Sequence, residues 1–345
     1  MNELSEATYR KPSVASLSRS YHKRQALLVL GMHRSGTSLL TYLLHRLGGA
    51  LPKDLIGPGA GNPWGHWEPR ALVDINDDVL KMLGRSWDDP RPIDSGWFNS
   101  HDAALVVCRI AEAIHYAYGD EPLLLIKDPR ICRLTPLYLS ALSMLDIEPT
   151  IVLQLRPCEE VISSLIDRDS LSADLSEQLW IRSVTEAERV TRAYRRAWVT
   201  FDQLFADWQE VACHIADRLE LEWVSVSEDK IAEIDNFIDP VKRYRTPGTS
   251  VAEKQSTWLT QSVWNAVQQA ISGEELAARK SFDLLEAALQ DFDRLYDRSL
   301  SRISASYEAK LAAIYGSTSW QLTKPLRSMK VRMFKSRRGH PANTG

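Results

Sequence analysis

The sequence predicts an α/β chain: a doubly wound, mostly parallel sheet followed by a C-terminal helical extension. Three observations carry this. Four short apolar runs, at 27–31, 123–127, 151–155 and 197–201, lack the alternation of half-solvated strands and suit strands covered on both faces. Helical spacing fills the intervals at 38–47, 70–84, 102–118, 159–168 and 174–196, giving the strand–helix alternation of a parallel sheet. Between about 273 and 316 glycine and proline nearly vanish and apolar residues recur every three or four positions, the pattern of one long exposed or self-associating helix.

In chain order, residues 1–25 form a polar segment with no apolar core for a secretory signal. The first apolar run enters a turn of small residues that holds Gly31 and Gly36, and the helix after it stops at Gly48 and Gly49. A strand that feeds such a turn into a helix N-terminus is an anion cradle, because several backbone N–H groups point at one spot. The glycine spacing is that of a Walker A loop, yet Thr37 stands where its lysine would be and Ser38 follows. The cation is Arg34, set earlier in the turn. Such a loop is expected to take a phosphate, but not the triphosphate of ATP with its magnesium. Residues 52–69, rich in Gly and Pro, read as a long functional loop, and 239–257 as a second polar stretch. Three parts are expected: the segment 1–25, a catalytic domain over 26–270, and a helical extension with a basic tail over 271–345.

Composition narrows the function classes. With 345 residues, 25% charged, and a net charge of −3, nothing points to nucleic acid. Cys108, Cys132, Cys158 and Cys213 are scattered, with no C-x-x-C pair, so a reducing cytoplasm is expected and a disulfide scaffold is not. The histidines have no metal-ligand spacing, and no metal is expected. No apolar run approaches the length of a membrane span.

The residues Arg34-Ser35-Gly36-Thr37-Ser38 resemble, position by position, the 5′-phosphosulfate loop of bacterial sulfotransferases that use 3′-phosphoadenylyl sulfate (PAPS) as donor. That resemblance covers roughly 26–270 and implies a P-loop-like sulfotransferase fold, PAPS as donor and 3′,5′-ADP as product. In the family an arginine ending a strand and a serine eight residues on hold the donor's 3′-phosphate; Arg156 and Ser164 have that separation. The chemistry fits, since a guanidinium offers paired donors to a phosphate and a hydroxyl adds one more. Lys127-Asp128-Pro129 is similar to a Lys-Asp-Pro of bacterial and tyrosylprotein sulfotransferases, which implies that Lys127 reaches the bridging region of the phosphosulfate. Arg130 either grips an acidic acceptor or pairs with Asp128.

The run Gly65-His66-Trp67-Glu68 resembles a loop whose carboxylate is the base in tyrosylprotein and heparan-type enzymes. An acceptor hydroxyl must lose its proton as the new S–O bond forms, and a carboxylate in reach can take it, at a gain of about 10²–10⁴-fold. Glu68 is the expected base and His66 the rival, its ordinary value lying near neutrality. Trp64 and Trp67 either stack on a sugar or pack the loop down.

Weaker signals remain. Residues 198–204 resemble the family's late strand. Lys242-Arg243-Tyr244-Arg245 lies where relatives close over the nucleotide but lacks the Arg-Lys-Gly loop of the small-molecule branch. Residues 317–327 resemble the endings of enzymes of bacterial surface-polysaccharide assembly. From 317 to 345 there are seven Lys/Arg and no Asp/Glu, which suits either docking on anionic lipid at the inner face of the membrane or a solvated tail. The expected activity is sulfuryl transfer from PAPS to a hydroxyl of a carbohydrate, on a surface polysaccharide or glycolipid. The competing readings are a P-loop kinase-like phosphotransferase and a non-catalytic scaffold of a polysaccharide assembly complex.

Overall fold

The computed structural model describes residues 23–59, 62, 65–238, 257–318 and 320. Most of the segment 1–25, Trp64, the 242–245 cluster and the tail beyond 320 therefore lie outside the described residues. The chain divides into two compact units, Met1–Leu285 and Glu286–Gly345.

Four parallel strands form the sheet of the first unit: β1 (Gln25–Leu30), β2 (Leu123–Lys127), β3 (Glu148–Leu155) and β4 (Arg196–Thr200), in the order β2-β1-β3-β4. Register sets Val29 against Lys127 and Leu30 against Leu153, so β1 and β2 end within one residue of each other, β3 runs two residues further, and the loops that follow lie at the same end of the sheet. That edge is where ligands bind in open α/β sheets. Both faces are covered. Leu27, Val29, Leu125, Val152, Ala197 and Val199 pack with α1 (Thr37–Arg46), α8 (Trp208–Leu219) and α9 (Glu228–Phe237) in one apolar cluster. The alternate residues Ala26, Leu28 and Leu30 are fully buried, and α4 (Ile131–Met144) packs on β1 and β3. Strands buried on both sides explain the continuous apolar runs of the sequence.

The intervening helices are α2 (Arg70–Met82), α3 (His101–Tyr118), α5 (Cys158–Asp169), α6 (Ala173–Thr191) and α7 (Phe201–Ala206), with α10 (Trp258–Ile271) later in the chain. Side-chain caps start several of them: Ser100 accepts from Ala103 N, Ser172 from Leu175 N, and Asp207 from Gln209 N and Glu210 N. Two boundaries differ from expectation for reasons visible in the structure. The pattern at 174–196 stops at Thr191 because Arg196 already belongs to β4. β4 ends at Thr200, whose hydroxyl and Gln203 form a capping box that turns Phe201 into the first residue of α7. Helices α4, α8, α9 and α10 lie in stretches to which the sequence analysis assigns no element, and α4 carries Pro136 inside it. Pro136 removes the N–H that would reach Cys132 O, and Thr135 Oγ1, which donates to Ile131 O at 2.6 Å, lies 3.5 Å from that carbonyl.

The long loop at 52–69 has neither helix nor strand in its described part. It is pinned at both ends, by Ile56 N donating to Glu68 O (2.8 Å) and Arg70 N donating to Asp54 O (2.9 Å). In the second unit the long helix α11 (Glu275–Gly316) continues from the first and exposes Phe292, Tyr296, Tyr307, Leu311 and Ile314. Among the described residues no helix is long and apolar enough to cross a membrane.

Gly36 precedes α1 with φ +88°, and a Cβ there would lie 2.2 Å from the Phe201 ring. Gly36→Ala should therefore lower stability by about 2–4 kcal/mol, combining left-handed strain with overpacking. Gly57→Ala, with nothing near a new Cβ, should stay within about 0.5 kcal/mol of wild type. Urea unfolding of the two variants checks the contrast.

Candidate functional site

The turn between β1 and α1 is pressed against β3. A Cβ on Gly31 would stand 2.4 Å from Gln154 O, so only glycine fits. Gly31 N donates to Cys132 Sγ (3.1 Å), and Gln154 Nε2 donates to Ser35 O (3.2 Å). Thus the start of α4 and the end of β3 hold the turn. Arg34 takes φ +70°, a left-handed conformation that non-glycine residues adopt mainly where surrounding structure imposes it. Helix α1 begins on Gly36 with no side-chain cap and no acidic residue in its first turn. Its first N–H groups, at Thr37 and Ser38, stay available to an anion.

Three cations meet this turn, Arg34 after β1, Lys127 at the end of β2 and Arg156 after β3. Arg34 Nε donates to Ser164 Oγ at 2.7 Å, which joins the expected 5′-end residue to the expected 3′-end residue. Arg156 Nη1 donates to Arg34 O (3.2 Å), while its Nε donates to Glu160 Oε2 (2.8 Å). Its guanidinium lies over the Phe201 ring, 4.5 Å from the centroid, and its carbonyl accepts from Trp180 Nε1. Lys127 Nζ donates to Ser38 Oγ (3.2 Å), His66 O (3.0 Å) and Glu68 Oε1 (2.5 Å). Lys127 is 2% exposed and Glu68 6%, so this is a buried ion pair. Asn62 Nδ2 donates to Ser38 Oγ (3.1 Å), and Ser38 Oγ in turn donates to His66 O (3.2 Å).

The two rival bases are thus placed differently. Glu68 offers its carboxylate to the cluster, whereas His66 joins through its main-chain carbonyl. The His66 ring has a Nε2 only 3.3 Å from where a Gly59 Cβ would be, and burial holds its imidazole below the ordinary value. Trp67, between them, has φ +58° and packs on Tyr42, with ring centroids 5.6 Å apart. Its Nε1 is buried and has no hydrogen-bond partner among the described residues, and the same holds for Ser35 Oγ.

Arg130 is committed to carboxylates of its own chain: its Nη1 donates to Asp128 Oδ1 (3.0 Å) and its Nε to Asp77 Oδ1 (2.6 Å). Asp128, fully buried, also accepts from Arg130 N and from Asn76 Nδ2, and Tyr138 OH donates to Asn76 Oδ1. This network fixes the loop behind Lys127. Sequence reasoning missed Asn62, Asn76, Gln154, Glu160 and Phe201. Glu160 alone carried a signal, standing four residues after Arg156 at the start of a helix. Among the described residues no group of three or more His, Cys, Asp and Glu is arranged to hold a metal ion.

His33, in the same turn, packs on Trp87 with ring centroids 4.6 Å apart, and its buried Nε2 has no hydrogen-bond partner among the described residues. A cavity of about 10 Å³ lies beside it, lined by residues that include Met32, Trp87, Arg130 and Arg133. Burial holds the imidazole well below its ordinary value, and Arg130, Arg168, Lys127 and Arg34 repel its cationic form. The folded chain therefore keeps His33 neutral where the unfolded chain protonates it. The sign follows: stability is full above about pH 6.5 and falls as pH drops through that value. Between pH 7.5 and 5.5, wild type should lose about 1 kcal/mol more in urea unfolding than His33→Gln. Equal losses would remove His33 as the source of the slope.

No family model and no curated protein matches the chain. Several solved structures are similar to it. A sulfotransferase domain from the Synechococcus PCC 7002 olefin synthase is 18% identical, with 68% of this chain and 94% of that one covered and a TM-score of 0.39. A sulfotransferase from Mycobacterium avium is 17% identical, with 75% and 77% covered and a TM-score of 0.41. A sulfotransferase domain from the curacin biosynthetic pathway is 14% identical, with 72% and 98% covered and a TM-score of 0.38. At this level of similarity, activity has to be argued from the residues of the chain itself.

Proposed function

We propose that the chain is a PAPS-dependent sulfotransferase that moves a sulfuryl group to a hydroxyl of a carbohydrate. The observation that carries this reading is the meeting of Arg34, Lys127 and Arg156 at the uncapped N-terminus of α1, with the Glu68 carboxylate bound to one of them. A donor with two anionic ends suits a cradle whose cations follow three successive strands. The 5′-phosphosulfate is assigned to Arg34, Ser35, Gly36, Thr37, Ser38 and Lys127, and the 3′-phosphate to Arg156 and Ser164. The Arg34–Ser164 contact makes the two halves continuous, and the unpartnered Ser35 hydroxyl suits an added ligand. Thr37 in the lysine position of a Walker loop goes against a nucleoside triphosphate.

Transfer runs as an in-line displacement at sulfur. Glu68 takes the acceptor's proton while Arg34, Lys127 and the loop amides offset charge on the departing 5′-phosphate. The carbohydrate acceptor, on a surface polysaccharide or glycolipid, is proposed from the resemblance of residues 317–327, with His66 and Trp67 beside the site. A cytoplasmic setting is part of the reading, in keeping with four free thiols.

Thermal stabilisation by 3′,5′-ADP and not by ATP with magnesium is the expected outcome; stabilisation by the latter alone would favour the phosphotransferase, and by neither the scaffold. Incubation with labelled PAPS and surface glycans should then label a glycan. Arg156→Ala should weaken 3′,5′-ADP by about 1.5–3 kcal/mol and 5′-AMP far less, because a charge-assisted contact to the 3′-phosphate is lost. Calorimetric titration of both nucleotides separates the two, and equal weakening would move Arg156 away from the 3′-phosphate.

A further inference from the structure

Along α11 the apolar residues return every 11 positions, in three registers: Leu289, Leu300 and Leu311; Phe292, Ile303 and Ile314; Tyr296 and Tyr307. Within a repeat the steps are three, four and four residues, which places all of these positions on one face of the helix. Near its start α11 already packs with this face. Phe282 and Leu285 continue the same line and are buried, and Phe282 stacks on Trp198 with ring centroids 5.9 Å apart. In the second unit Phe292, Tyr296, Tyr307, Leu311 and Ile314 carry the face into solvent. A helical face that stays apolar over such a length and is exposed marks an interaction surface.

An 11-residue repeat corresponds to about 3.67 residues per turn, so the stripe runs almost straight, with a slight right-handed drift. A partner stays in contact along it only if its own apolar residues recur at the same interval; a seven-residue repeat drifts the opposite way and leaves the seam. A second copy of α11 meets that requirement at every repeat. Charge fixes the direction. Residues 286–297 hold Glu286, Asp291, Asp293 and Asp297 against Arg294, whereas residues 298–316 hold Arg298, Arg302 and Lys310 against Glu308. A parallel pair would align acidic with acidic. An antiparallel pair lays the acidic stretch of each copy along the basic stretch of the other. The acidic stretch also disfavours an anionic membrane as the cover, because helices that lie on such a surface carry Lys and Arg on their polar face. We propose that α11 pairs with α11 of a second copy, in antiparallel order along the stripe from Phe292 to Ile314, which makes the second unit a dimerisation element.

Sedimentation equilibrium of the full chain, repeated at several salt concentrations, tests the pair. Wild type should be a dimer in reversible exchange with monomer. Tyr307→Asp and Leu311→Asp, which put a carboxylate into the seam, should each raise the dissociation constant by about 10-fold or more. Leu295→Asp is the control. Leu295 is as exposed as Tyr307 but stands off the repeat, so its substitution should change the constant by less than about 2-fold. It brings the same residue into the same helix, so a loss confined to the two seam variants is not a loss of helix. Raising salt from about 50 to about 500 mM should weaken the dimer several-fold, since opposite charges lie side by side. A dimer that tightens with salt has like charges facing and overturns the antiparallel pair. A chain that stays monomeric at about 100 μM overturns the proposal, as does a dimer that the seam variants leave intact or that Leu295→Asp disrupts as strongly. Co-sedimentation of a monomeric chain with vesicles of anionic phospholipid would assign the face to a membrane instead.

Discussion

The close approach of Gly31 to the Gln154 carbonyl is the constraint on which the rest of the site depends. β1 lies between β2 and β3 in parallel register, and its exit has no room for a side chain. The backbone must turn at once, which brings residues 31–36 over the end of β3. Contacts that look separate then follow from one geometry. Gln154 reaches Ser35 O, Arg156 reaches Arg34 O, and Gly36 settles on the Phe201 ring that also lies beneath Arg156. A shift of the turn would disturb all of them together.

Charge is handled by enclosure and pairing. Asp128 is buried completely, yet its oxygens are satisfied by Arg130 and Asn76, so it acts as a rigid post beside Lys127. The cost of taking ions out of water is offset only when partners and geometry are complete. Removing one member of such a network is more damaging than never having had it, because the remaining charge keeps its desolvation cost without its partner. Glu160 holds Arg156 in a more open setting, its side chain 35% exposed, so that pair is easier to part than Lys127 and Glu68.

Much of the architecture was legible. Buried parallel strands leave unbroken apolar runs, so β1 to β4 could be located within a few residues, and the turn with Gly31 and Gly36 stood out through its spacing. Helix α4 was hidden because Pro136 is a breaker by propensity. Its tolerance depends on burial between β1, β3 and α6, which no local window contains. In the site, residues with chemistry in a motif were visible: Arg34, Lys127, Arg156, Ser164 and Glu68. Those that work by position were not. Phe201 read as the last residue of a strand, and Asn76 belonged to no motif. Each gains its role from a contact across 165 and 52 positions of sequence respectively, to Gly36 and Asp128. The pairing of Lys127 with Glu68, across 59 positions, is of the same kind.

Cys132 gives the phosphate turn a built-in chemical reporter. Burial pushes its thiol up to about 12, and its sulfur accepts the Gly31 N–H, so in the closed arrangement it is neither exposed nor ionised. Thiol reagents attack the thiolate. Cys108 and Cys213, which are exposed, react at the surface and set the baseline, while Cys158 is buried like Cys132. Alkylation of Cys132 then requires the turn to lift from the end of β3 and admit water. Its rate measures how often the cradle opens, and a ligand bound in that cradle must slow it in proportion to its occupancy.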